Sequence, residues 1–159
     1  MKEGEIGDVA QLMADVDGED GDPAGMEVLL RASRPPAQFP FVAVDESGKV
    51  HGIIVWQVIE VQREQFILSL AWLSVKPEFQ RNGLGKELIF STVKVVKVDP
   101  FLCARKFGYF IIEVDSTNKK ALTFYRNLFC SAEEANVGEY LYFIVQPEEI
   151  LEIMKKGTT

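Results

Sequence analysis

The sequence predicts a single domain of the mixed α/β class, and three observations carry that prediction. β-rich runs succeed one another from residue 39 to 75, the pattern of antiparallel strands joined by short turns. Later β-rich runs at 109–114 and 139–145 are each preceded by a segment of helical periodicity, which is the spacing of strand-helix-strand crossovers. Finally, 159 residues with 47% hydrophobic and 26% charged content suit one globular unit with a substantial core.

Taken in order, Ile6, Val9, Leu12, Met13 and Val16 recur at helical spacing, and Asp8 falls in the first turn, where a carboxylate favours the helix dipole. The run DGEDGDPAG, 17–25, ends this helix with turn formers, and a short helix from Met26 to about Ser33 stops at Pro35 and Pro36. FPFVAVDESGKVHGIIVWQVIEV, 39–61, reads as a β-hairpin turning at Glu46 to Lys49, where Gly48 is available for positive φ. EQFILSLAWLSV, 64–75, is a third long strand.

Leu84, Leu88, Ile89, Val93 and Val96 mark the next helix. Asp99 and Pro100 break it, because proline lacks the N–H donor and disfavours helical geometry at the residue before it. A further helical piece is expected from Phe101 to about Lys106. YFIIEV, 109–114, has the apolar density of a buried, partly parallel strand. Asn118 to Phe129 reads as a helix, EYLYFIV as the last strand, and PEEILEIMKK as a terminal helix with Pro147 in its first turn and lysines at its end. No repeat, linker or second domain interrupts the pattern, so residues 1–159 form one domain.

Composition excludes several functions. The longest apolar runs fall far short of the roughly 20 residues that cross a bilayer, and Lys2 and Glu3 lead into an acidic amphipathic segment rather than a secretory signal. The expectation is a cytoplasmic protein with no membrane partner. A formal charge of −7 argues against nucleic acid as partner. Cys103 and Cys130 lie in no C-x-x-C pattern and are expected to be reduced, partly buried thiols. The acidic run DVDGEDGD from Asp15 lacks the glycine placement and closing glutamate of a calcium loop, and no other metal set is evident.

One stretch concentrates chemistry. SVKPEFQRNGLGKELI, 74–89, places Gly83 and Gly85 between a strand ending at Val75 and a helix starting near Gly83. Free N–H groups at a helix start and the helix dipole point the same way, so the stretch reads as an anion site into which a phosphate would fit, or else as a tight strand-to-helix turn that holds no ligand. It is not a G-x-x-x-x-G-K-[ST] loop, and no third glycine or ribose-binding acid completes a dinucleotide fingerprint.

The sequence Gln80-Arg81-Asn82-Gly83-Leu84-Gly85, preceded by LSVKP, resembles the acyl-CoA signature [QR]-x-x-G-x-[GA] of the GNAT N-acetyltransferase superfamily. IIEVDSTNKKALTFYRNLF, 111–129, resembles that family's second signature, and the two occur in the family's order. The resemblance implies a mixed, mostly antiparallel sheet flanked by helices, whose strands at 68–75 and 109–115 splay apart. It further implies acetyl-CoA as cosubstrate, with its pantetheine beside the backbone of Leu73 and Val75 and near Asn118. The pyrophosphate would lie on the amides of Arg81, Asn82, Gly83, Leu84, Gly85 and Lys86, with Gln80 opening the motif.

For catalysis the resemblance implies Tyr125 as the acid that protonates the CoA sulfur and Glu113 as a base for the acceptor amine. On residue pattern alone, Tyr125 also fits a core aromatic and Glu113 a solvent-facing residue, while Glu60, Glu64 and His51 are other base candidates. Asn118 equally fits a helix N-cap. Phe129 stands where the family usually has glycine, the opening strand is nearly absent at MKEGE, and KVDPFLCARKFG lengthens one connection. No Ser or Cys sits in a recognisable triad or elbow, so direct attack by an amine is expected. The partner is then an amine acceptor, a small cationic molecule or a protein, and a homodimer stays open. Two alternatives are a toxin-like enzyme acting on aminoacyl-tRNA and a noncatalytic module that binds CoA or a partner.

Overall fold

A computed structural model describes residues 6–17, 23–32, 35–62 and 64–156. Two helices, α1 (Ile6–Asp17) and α2 (Pro23–Ala32), precede three strands, β1 (Gln38–Val44), β2 (Val50–Gln62) and β3 (Gln65–Val75). Then come α3 (Leu84–Lys97), β4 (Lys106–Asp115), α4 (Lys119–Leu128), β5 (Glu133–Val137), β6 (Tyr140–Val145) and α5 (Pro147–Lys156). One six-stranded sheet runs in the order β1-β2-β3-β4-β6-β5. All its neighbours are antiparallel except β3 and β4.

Alternation along the strands sends side chains to two cores. On one face, Ile54, Trp56, Leu68, Phe110, Ile112 and Phe143 pack with Leu88, Ile89 and Val93 of α3, Leu122 and Tyr125 of α4 and Ile150 of α5. The buried Trp56 indole donates to Thr92 Oγ1 at 2.7 Å, fixing α3 on the sheet. On the other face, Val9, Leu12 and Met13 of α1 and Leu30 of α2 cover Val50, Ile53 and Val55 of β2.

Several expectations change. The segment from Phe101 is built of turns, not a helix, and Lys106 already begins β4. Asp99 organises it by accepting the Phe101 N–H on Oδ1 at 2.9 Å, while Leu102 is fully buried as its anchor. α2 starts at Pro23, ahead of Met26. β5 went unforeseen because EEANV carries no apolar alternation; it is an exposed edge strand held by β6 and by the Arg126–Glu134 pair at 2.8 Å. Both cysteines are free, as expected, but exposed rather than partly buried. Gly48 does take positive φ, at 84°, in the hairpin turn. The stretch MKEGE and residues 18–22 of the acidic run lie outside the described residues.

Candidate active site

The defining feature is a fork in the sheet. β3 pairs with β4 from Gln65↔Lys106 as far as Leu70↔Ile112, and no further. β3 nevertheless continues to Val75, held by β2, and β4 to Asp115, held by β6. The β2–β3 register slips between Val55↔Trp72 and Trp56↔Leu70, which leaves Ala71 as an extra residue at the parting point. A bulge increases local twist, so the sequence turns β3 away from its parallel neighbour there. Beyond Leu70 the β3 edge that would meet β4 is unpaired, and Leu73 and Val75 lie on this free stretch, with side chains packed against the helix-covered core. An extended ligand arm can pair with such an edge as an added strand would.

At the end of that stretch lies the glycine-bearing loop. The Lys76 N–H donates to His51 O at 2.9 Å, Pro77–Phe79 form one 3₁₀ turn, and Gln80 Nε2 donates back to Val75 O at 2.9 Å. Gln80 therefore ties the loop to its strand. Arg81 and Gly83 both take positive φ, 65° and 83°, which turns the chain sharply into α3. Gly83 is the N-cap without a side-chain capping bond, and the first intrahelical bond is Glu87 N–H to Gly83 O at 2.9 Å. The amides of Leu84, Gly85 and Lys86 precede that bond and have no carbonyl within the helix to meet. Asn82 and Lys86 are exposed beside them. Gly85 differs: a Cβ there would lie 3.4 Å from Phe124 Cζ, an ordinary contact, so a methyl group fits between α3 and α4 but a longer side chain meets Phe124.

Tyr125 projects from α4 into the helix-covered core, where its ring lies 5.8 Å from that of Phe143, the register partner of Ile112. Burial pushes its phenol well above the ordinary tyrosine range, because the phenolate would be stranded in apolar surroundings. Among the described residues none hydrogen-bonds its hydroxyl, which leaves a proton on offer. Asn118 caps α4, accepting the Ala121 N–H at 3.0 Å through Oδ1. Its amide nitrogen keeps two donors for another partner.

Glu113 is the first β4 residue past the last β3–β4 pair, and alternation turns it away from Ile112 and Val114 to the opposite face of the sheet. It is exposed there and accepts a hydrogen bond of 2.5 Å from the Tyr142 hydroxyl across the β4–β6 pair. That bond holds the Tyr142 phenol above its usual range. Tyr142 was absent from the sequence-level candidates; the alternation in YLY puts Tyr140 and Tyr142 on one face, but nothing local pairs them with Glu113.

The alternative bases fare differently. Glu64 is exposed at the β2–β3 turn, away from the fork, and the Glu60 side chain lies outside the described residues. His51 is buried behind the loop, with Nε2 2.8 Å from Asp45 Oδ2 and its ring 3.9 Å from that of Phe79. Asp45 is itself held well below the carboxylate range by hydrogen bonds from Ser47, Lys49 and His51. This arrangement braces the hairpin and loop rather than facing the fork. Phe129, in the place of a glycine, is a core residue with its ring 5.3 Å from Phe110. Of the basic side chains, Lys97 lies over the Phe107 ring and Arg105 over that of Phe101. Among the described residues no cluster of His, Cys, Asp or Glu could hold a metal, and no helix is long and apolar enough to cross a membrane.

No curated protein matches the chain by sequence. Solved structures do match its fold. NAA60 of Arabidopsis thaliana, in complex with a bisubstrate analogue, superposes with a TM-score of 0.67 at 13% identity over 92% of this chain and 94% of that one. A spermidine N-acetyltransferase (SpeG) mutant from Vibrio cholerae gives 0.64 at 16% over 95% of both. An aminoglycoside acetyltransferase from an uncultured soil metagenomic sample gives 0.66 at 23% over 87% and 90%. The profile of the acetyltransferase (GNAT) domain matches residues 36–128, more than half of the chain and the whole stretch from the first strand through the fork, the glycine loop and α4. The chain belongs to the GNAT acetyltransferase family.

Proposed function

We propose that the protein transfers an acetyl group from acetyl-CoA to a primary amine by direct attack. The observation that carries this reading is the fork: strands β3 and β4 part beside a loop whose helix-start amides have no carbonyl within the helix to meet, so one opening would offer a backbone edge to the pantetheine and donors to the pyrophosphate. The residues that would hold that ligand are the β3 edge at Leu73 and Val75, the amides from Arg81 to Lys86, and the amide nitrogen of Asn118, whose oxygen caps α4.

The proposed acid and base lie on either side of the sheet, and a thioester seated in the fork would have to meet both. Glu113 takes a proton from the acceptor ammonium, freeing a lone pair to form the C–N bond at the acetyl carbon. As the C–S bond breaks, Tyr125 passes its hydroxyl proton to the sulfur, and the second proton shed by the nitrogen as it becomes an amide restores the phenol, while Glu113 releases its own proton to solvent. A buried phenol that holds its proton through neutral pH is suited to that step.

Calorimetric titration of the protein with acetyl-CoA tests the binding half. The expected result is affinity around the micromolar range together with a ligand-dependent rise in Tm. A folded protein that takes up no acetyl-CoA refutes the reading. The acceptor class is then set by following thiol release with a panel of amines, in which small cationic and peptide amines are expected to turn over.

A further inference from the structure

We infer that Tyr142 is a positioning residue for the acceptor: by binding one oxygen of Glu113 it holds the carboxylate at the parting of the strands with its other oxygen turned to the incoming amine. The inference rests on the proposed role of Glu113 and adds a residue that neither signature contains.

Three observations carry it. First, Glu113 follows Ile112, the last β4 residue paired to β3, so its side chain stands at the mouth of the fork. Second, Glu113 is exposed, and a glutamate on a strand surface otherwise samples several rotamers at little cost. Third, the Tyr142 hydroxyl donates to Glu113 Oε2 at 2.5 Å, from a ring fixed on the directly opposite residue of β6. A neutral donor on a carboxylate makes a charge-assisted bond that fixes the side chain without neutralising it. Glu113 Oε1 is given no bond by this pair and remains an acceptor.

The geometry also constrains the acceptor's path. Tyr142 and Tyr140 stand on the same face of β6, and Tyr140 is exposed beside Asp115 in the register. A cationic amine therefore meets aromatic faces before the carboxylate, an approach that cation–π attraction favours. Asp115, opposite Tyr140, stays anionic as well, its Oδ1 accepting from the Thr117 N–H and hydroxyl without being neutralised, and so adds to the attraction for a cation.

The test is a double-mutant cycle with Tyr142→Phe and Glu113→Gln, measured with spermidine and with a short peptide bearing a free α-amine as acceptors. Tyr142→Phe keeps the ring, so the strand pair survives. The expected result is a fall of about 10-fold in kcat/KM for the amine, with KM for acetyl-CoA unchanged within about twofold and a changed pH profile. In the Glu113→Gln background the same change should have no further effect, because Tyr142 acts only through the carboxylate. Wild-type turnover by Tyr142→Phe while Glu113→Gln is impaired overturns this inference alone. Equal losses in both backgrounds also overturn it, by making Tyr142 an independent contact. Wild-type turnover by Glu113→Gln, or turnover of neither acceptor by the unaltered protein, removes the reading beneath it and the inference with it.

Discussion

Tyr125 and Glu113 project to opposite faces of one sheet. Tyr125 packs on Phe143, with ring centroids 5.8 Å apart, on the face covered by α3 and α4, whereas Glu113 bonds Tyr142 at 2.5 Å on the other. β3 and β4 separate after Leu70 and Ile112, and that opening is where one ligand would have to meet both. The proposed acid is thereby buried and the proposed base exposed, on opposite sides of the sheet.

Tyr125→Phe should separate chemistry from stability. The hydroxyl has no partner among the described residues, so its removal should change unfolding free energy by no more than about 0.5 kcal/mol. Turnover should nonetheless fall by about 10- to 10⁴-fold with acetyl-CoA affinity little changed. Stopped-flow thiol release and calorimetry on the same variant check both halves, and full turnover under chemistry-limited conditions would reject the assignment.

The same residue sets a pH signature. Burial raises its folded pKa above the unfolded value of about 10. Above that pH the unfolded chain releases the proton while the folded chain retains it, so the folded state holds more protons and stability falls as pH rises. The contribution is fully present below pH ~10 and is lost above it. Melting curves from pH 8 to 11 should show a steeper decline for wild type than for Tyr125→Phe, after allowance for the lysines common to both.

The two loop glycines should respond differently to substitution. Gly83 sits at φ 83° with open space around the missing Cβ, so Gly83→Ala costs only backbone strain, about 1 kcal/mol, while disturbing the amides that follow. Gly85→Ala should be accommodated at 3.4 Å from Phe124, but Gly85→Leu should push α4 away and lower Tm markedly. Thermal melts with and without acetyl-CoA distinguish loss of ligand stabilisation at Gly83 from loss of apo stability at Gly85.

Electrostatics should favour cationic acceptors. With a net charge of −7, association of an ammonium substrate is steered by the protein's field, so added salt should lower kcat/KM more than kcat. Charged tRNA, a polyanion, should be a poor acceptor by comparison. Robust acetylation of the aminoacyl group in a radiolabel assay would reverse that preference in favour of the toxin-like alternative.

By itself the sequence determined the elements whose signals are local. Apolar period and turn chemistry placed α1, α3, α4, α5 and the long strands, and glycine at 83 announced a sharp turn into a helix, because φ is a property of one residue. The N-cap at Asn118 was legible for the same reason, as its partner is three residues away. Tertiary structure alone decided what depends on register. β5 exists because β6 offers it a ladder, the segment from Phe101 became turns around buried Leu102, and the slip at Ala71 set where the strands part. The Glu113–Tyr142 bond spans 29 residues of chain. Only the alignment of β4 with β6 brings those side chains together, since a one-residue slip would send one of them to the opposite face.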